Sequence, residues 1–168
     1  MTTLRAQTEA KIRQLEARSY RGLWAMALFL LVSSAVYYGL DRLFPLSPEM
    51  RSFLGAAPPL GLISLALVIY SFSAIILVLA RMTMGQTPGS GFAHVGYLTG
   101  FYLFYHLAGA SEENLWAVLA AGVTILVLAG YHQHAFCTEA MSVERETLSR
   151  IELRERFGGG GTEDETEK

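Results

Sequence analysis

Four stretches of this 168-residue chain contain no Asp, Glu, Lys or Arg, and they are residues 22–40, 59–80, 92–110 and 115–131. The hydrocarbon core of a bilayer is about 30 Å thick, so a helix needs about 20 apolar residues to cross it. Only helices and closed barrels satisfy their own backbone in lipid, and these runs lack the alternating pattern of barrel strands. The sequence therefore predicts an all-α integral membrane protein, with four transmembrane helices in a bundle.

The rest of the composition limits the classes of partner. Four spans of about 20 residues occupy nearly half of the chain, which leaves no stretch long enough for a soluble domain with its own core. The formal net charge is −2, which argues against nucleic acid as a main partner. We expect the partners to be the lipid bilayer and either other membrane protein subunits or further copies of the chain.

The basic residues are distributed unevenly between the predicted loops. Eleven of the thirteen lie before the first run, after the second or after the fourth. Because cytoplasmic segments carry the excess of Lys and Arg, both termini are predicted to be cytoplasmic, with residues 41–58 and 111–114 facing outward. The plasma (inner) membrane is the expected location. The basic residues on the cytoplasmic side are Arg5, Lys11, Arg13, Arg18, Arg21, Arg81, Arg145, Arg150, Arg154, Arg156 and Lys168.

The two ends of the chain are predicted to be helical outside the membrane. Residues 1–21 have a narrow apolar stripe at helical spacing, which favours a short amphipathic helix on the membrane surface or on a partner, with a solvated helix as the alternative. Residues 137–157 contain a second helix, for which Ser142 is the predicted N-cap. Residues 158–168 combine glycines with acidic side chains and are predicted to be a disordered tail.

The third run contains a candidate helix-packing surface. Gly96 and Gly100 form a small-xxx-small spacing, which lets another helix backbone approach closely. The approaching helix belongs either to another protein or to the same bundle, and the sequence leaves both alternatives open.

The histidines and the single cysteine form a candidate metal site. His134 and Cys137 are three residues apart and so share a helical face, and soft sulfur and nitrogen ligands suit zinc or copper. His94 is predicted at the same cytoplasmic depth, with His132 as a substitute ligand. The alternative is that these polar side chains only mark the point where the helices leave the membrane. No cofactor can be named from the sequence.

The predicted spans also contain hydroxyl groups but no charged residue. Ser64 and Ser71 are seven residues apart, so they share a face and are candidates for lining a pore. The lack of intramembrane charge argues against proton- or ion-coupled transport by a single copy, and no complete catalytic set is present. The sequence thus favours a non-catalytic subunit or assembly partner of a larger membrane complex. The alternative is a small homo-oligomeric channel or transporter, and a metal- or haem-binding protein is a third hypothesis.

Overall fold

In the computed structural model, residues 2–39 and 58–158 are described, and within them the chain forms helices and no strand. The predicted all-α class is confirmed. Residues 41–57 of the predicted outward segment 41–58, and residues 159–168 of the predicted tail, lie outside the described residues. The helices in this described part of the chain are α1 (Thr2–Ser19), α2 (Arg21–Tyr37), α3 (Leu60–Thr83), α4 (Gly91–Leu107) and α5 (Ser111–Gly158).

Three helical stretches among the described residues are long and apolar enough to cross a membrane, namely Leu4–Tyr37, Leu60–Thr83 and Ser111–Phe157. The chain is therefore a membrane protein. The helix α4 covers most of the third predicted span but has only 17 residues, a rise of about 26 Å. The structure thus supports three of the four predicted spans by length and composition.

Glycines with positive φ define where the two central helices end. Gly85 has φ +62° and Gly109 has φ +69°. The Gln86 N–H donates to the Arg81 carbonyl at 3.0 Å, and the Ala110 N–H donates to the Tyr105 carbonyl at 2.9 Å. These six-residue closures satisfy terminal carbonyl groups as in a Schellman motif. Because Gly109 reverses the backbone, α4 ends before residue 110, where the charge pattern had placed the end of the span.

The described residues fall into two compact units, of which the larger is Arg21–Gln133. It contains α2, α3, α4 and the first part of α5. Its core is apolar and aromatic, and the side chains that are almost completely removed from solvent are Phe29, Leu98, Tyr105, Val118, Ile125 and Leu126. Helix α4 packs against both α2 and α3.

Glycines allow α2 and α5 to approach each other closely within this larger unit. A Cβ added to Gly22 would lie 2.9 Å from the Cα of Gly130. About two helical turns further along α2, the ring of Phe29 lies directly over Gly122. Small residues at such crossings let helix backbones meet without intervening side chains.

The smaller unit consists of Met1–Tyr20 and His134–Lys168. In its described part, Arg5 of α1 forms ion pairs with Glu152 at 3.2 Å and Glu155 at 3.8 Å, and Lys11 pairs with Glu144. The pairing order runs in opposite directions along the two segments, so α1 lies antiparallel to the last part of α5. Location of these helices on a membrane surface stays a prediction.

Helix α5 continues through the position predicted to begin a separate helix. It runs for 48 residues without interruption, about 72 Å at about 1.5 Å per residue. Ser142 is therefore not an N-cap, and its hydroxyl donates to the Glu139 carbonyl at 2.7 Å. The physical reason is local, because residues 131–157 contain neither Gly nor Pro to end the helix.

Candidate functional site

A small polar pocket lies within the larger unit, between α3, the loop that follows it, α4 and α5. It encloses about 20 Å³, enough for a water-sized group but not for a nucleotide or a sugar. The residues that line it are Leu77, Val78, Arg81, Gly89, His94, Ala129 and His132. Three of these seven carry basic side chains and none is acidic, so we call it the basic pocket.

Arg81 supplies the permanent positive charge of the basic pocket. It lies in the last turn of α3, where the helix dipole favours a cation. Its Nη1 atom lies 2.7 Å from the position that a Cβ on Gly89 would take. Gly89 therefore leaves the space that the guanidinium occupies, and a larger residue there would displace it.

His94 is held by a neighbour on α3. Its Nδ1 atom lies 2.8 Å from the hydroxyl oxygen of Tyr70. Tyr70 is itself packed against the rings of Tyr97 and Phe101, each with its centroid 5.7 Å away. These contacts fix the ring of His94 at the pocket wall.

His132 comes from α5 and is buried, with 6% of its surface exposed. The basic pocket therefore collects one guanidinium and two imidazoles from three different helices. Arginine is always charged, and imidazoles donate a hydrogen bond from at least one nitrogen. This donor set suits an anion, since it offers hydrogen bonds and positive charge but no carboxylate.

The predicted metal ligands have different surroundings. His94 lies at the basic pocket in the larger unit, whereas His134 and Cys137 belong to the smaller unit. Along α5, His134 is exposed and Cys137 is buried. Among the described residues, no group of three or more His, Cys, Asp or Glu side chains is arranged to hold a metal ion. The structure thus gives no support to the predicted ligand set, and it brings His94 together with His132 instead.

The predicted pore serines both make hydrogen bonds within the chain. The Ser64 hydroxyl lies 3.0 Å from that of Tyr105 on α4. The Ser71 hydroxyl donates to the Leu67 carbonyl at 2.7 Å. A pore-lining role stays a prediction, but both hydroxyl groups already have protein partners in a single copy.

A second interhelical hydroxyl contact fastens α4 to α2. The Ser33 hydroxyl donates to the Phe29 carbonyl at 2.9 Å and lies 2.9 Å from the Tyr102 hydroxyl. Because the Ser33 hydrogen is used by the carbonyl, the Tyr102 hydroxyl is the donor to Ser33. Tyr102 and Ser33 are both buried, and the contact joins the centres of two apolar helices.

The predicted helix-packing glycines lie on an open side of α4. Apart from the nearby backbone of α4 itself and the adjoining residues, no atom of the described residues lies within 4 Å of a Cβ added to Gly96 or Gly100. Large apolar side chains on the same side are exposed, including Tyr97 and Phe104. We call this surface the α4 outer face, and its residues are Ala93, Gly96, Tyr97, Gly100, Leu103 and Phe104.

Sequence reasoning missed the glycines that make the close contacts inside the chain. Gly22, Gly122 and Gly130 mediate the crossing of α2 and α5, whereas Gly96 and Gly100 do not take part in it. A usable signal was present, because Gly122 and Gly130 each follow an alanine and so form short small-residue segments within an apolar run. Arg81 was used only as an indicator of topology, although residues 50–111 contain no acidic residue to pair with it.

Comparison with protein-family models, with curated proteins and with solved structures gives no match for this chain. A functional assignment therefore depends on the surfaces and side chains of the molecule itself. Two features offer a basis for it: the α4 outer face and the basic pocket.

Proposed function

We propose that this protein is a non-catalytic subunit or assembly partner of a larger membrane complex, and that it binds a transmembrane helix of another subunit along the α4 outer face. The observation that carries the proposal is the open space beside Gly96 and Gly100. In lipid, helices associate through close packing of small residues, because lipid tails offer no hydrophobic driving force between them.

The opposite side of α4 is fully occupied by the protein itself, which supports the assignment. Leu98, Tyr102 and Tyr105 are almost completely buried against neighbouring helices. The helix is thus anchored on one side and exposes two glycines on the other. A second helix can approach the backbone at Gly96 and Gly100 without displacing the buried contacts of Leu98, Tyr102 and Tyr105.

The proposed topology includes α4 as a fourth span, with both termini on the cytoplasmic side of the plasma (inner) membrane. The uneven distribution of basic residues supports this arrangement. At 17 residues, α4 is at the short end of the range of about 17–25 for transmembrane helices. A tight helix–helix contact would compensate for its limited length by shielding it from lipid.

A homo-oligomeric channel is the alternative function. It would require hydroxyl groups such as those of Ser64 and Ser71 to face water, whereas both are hydrogen-bonded within the chain. The geometry therefore favours the assembly role.

Purification in mild detergent after chemical crosslinking, followed by mass measurement and identification of attached proteins, tests the proposal. The wild-type protein should be recovered with a different membrane protein at fixed stoichiometry, and Gly96→Leu should abolish this association. Gly61→Leu is the matched control, because Gly61 on α3 has equally open surroundings. Recovery of a homo-oligomer alone, or association unchanged by Gly96→Leu, would overturn the proposal.

A further inference from the structure

We propose that the basic pocket binds a phosphate group, supplied either by an anionic phospholipid or by free phosphate. This inference does not depend on the α4 outer face, since the pocket is formed by other sides of the helices. It starts from the charge balance around Arg81.

The protein segments that form the basic pocket provide no carboxylate to neutralise the positive charge of Arg81. Residues 50–111 and 114–138 contain no Asp or Glu, and these two segments contribute every lining residue. Arg81 is partly buried among Leu77, Val78 and Ala129. A positive charge in apolar surroundings is costly without a counter-ion, so an anion bound here would stabilise the folded pocket.

The donors suit a tetrahedral oxyanion. A guanidinium presents several N–H groups in one plane and binds phosphate through paired hydrogen bonds. When the Tyr70 hydroxyl donates to Nδ1 of His94, the neutral ring carries its hydrogen on Nε2 and becomes a further donor. His132 adds a third donor side chain from α5. Donors from three helices thus surround one small volume.

The chemistry of the basic pocket disfavours a metal cation. Two imidazoles are suitable ligands, but a permanent positive charge on the same wall repels a cation, and no carboxylate or thiolate offsets it. The size of the pocket also disfavours large organic anions, because its water-sized space holds about one phosphate oxygen, with the rest of the phosphate group and its ligand outside.

The position of the basic pocket agrees with a lipid headgroup as one source of the phosphate. Arg81 follows the charge-free run 59–80, His94 is the third residue of the run 92–110, and His132 follows the run 115–131. All three residues therefore occur where helices meet the membrane surface on the same predicted side. Anionic lipids of the cytoplasmic leaflet place their phosphates at this depth.

Native mass spectrometry and thermal unfolding of the detergent-purified protein test the proposal in two arms. One arm adds phosphatidylglycerol, with phosphatidylcholine as the comparison lipid, and the other adds inorganic phosphate. We expect phosphatidylglycerol, inorganic phosphate or both to bind and raise the unfolding temperature. Arg81→Gln should weaken that binding at least tenfold, a loss of the order expected for a charged hydrogen bond. Binding of phosphatidylglycerol alone identifies the lipid as the source, and competition by inorganic phosphate identifies the phosphate group itself.

Arg150→Gln is the matched control, because Arg150 is exposed on α5 and forms an ion pair with Glu146 of the same helix. It should bind like the wild type. Arg81→Lys keeps the charge but loses the planar donors, so its affinity should lie between those of the wild type and Arg81→Gln. If Arg81→Gln does not fold, Arg81→Lys provides the test. His132→Gln should weaken binding severalfold. The proposal is overturned if the wild type binds neither ligand, or if Arg81→Gln and Arg81→Lys both bind as tightly as the wild type.

Discussion

The ring of Phe29 on α2 occupies the space that a side chain on Gly122 of α5 would need. Phe29 is completely buried, and its ring also stacks on that of Tyr102 with a centroid distance of 6.3 Å. One aromatic ring therefore fills the space between α2, α4 and α5. The absence of a side chain at position 122 is a packing requirement of the bundle.

Gly122→Ala should destabilise the protein by about 1–3 kcal/mol, because overpacking forces the Phe29 ring or the α5 backbone to move. Unfolding in mixed detergent, followed by circular dichroism, measures the change. Gly96→Ala is the control and should stay within about 0.5 kcal/mol of the wild type, since its surroundings are open. Adding Phe29→Leu should recover part of the stability lost in Gly122→Ala. Equal stability of the two alanine variants would contradict this packing.

Ser33→Ala should reduce stability by about 0.6 kcal/mol, the average for interhelical hydrogen bonds in membranes, and by no more than about 1.7 kcal/mol. The change removes the acceptor of the Tyr102 hydroxyl inside the bundle. Ser34→Ala is the matched control, because the Ser34 hydroxyl is exposed and donates to the carbonyl of Leu30 on its own helix. A double-mutant cycle with Tyr102→Phe isolates the contact, and a coupling energy of zero would argue against it.

Lys11→Glu should loosen α1 from the last part of α5, because it places two carboxylates together where Lys11 and Glu144 now form an ion pair. The effect should be about 1 kcal/mol or less, since the Lys11 side chain is largely exposed and surface ion pairs are weak. Hydrogen exchange of the α1 amides is the suitable measurement, and it should accelerate. The double change Lys11→Glu with Glu144→Lys should restore protection. Failure of this charge swap to restore it would show that the pair does not hold α1.

Cysteine labelling should determine whether α4 crosses the membrane. Gln86 precedes α4 and Glu112 follows it, and both side chains are exposed. In a Cys137→Ala background, Glu112→Cys should react with an impermeant thiol reagent added outside, and Gln86→Cys should react only after permeabilisation. Reaction of both positions from the same side would show that α4 does not span, and the topology would then contain three crossings.

The helices of the larger unit could be predicted from the sequence because the features that form and end them are local in the chain. Long charge-free runs are stable in lipid only as helices, and glycines such as Gly85 and Gly109 end them in the left-handed region. The continuity of α5 was missed because Ser142 resembles an N-cap. Its hydroxyl instead bonds to the preceding turn, which a serine inside a helix can also do.

The candidate site could be predicted only in part, because its contacts join residues far apart in the chain. His94 and His132 were both recognised as candidate ligands, but their shared pocket with Arg81 depends on how three helices pack. The Tyr70 contact to His94 spans 24 residues and the Tyr102 contact to Ser33 spans 69. No spacing rule within a single helix gives either contact.

Two hydroxyl contacts and one imidazole contact together determine the rotational orientation of α4 about its own axis. Tyr102 bonds to α2, Tyr105 bonds to α3, and His94, near the other end of the helix, bonds to Tyr70 of α3. Rotation of α4 in either direction would break bonds to two different helices at once. The direction in which Gly96 and Gly100 point is therefore set in advance, so an incoming helix would meet a preorganised surface and lose less entropy on binding.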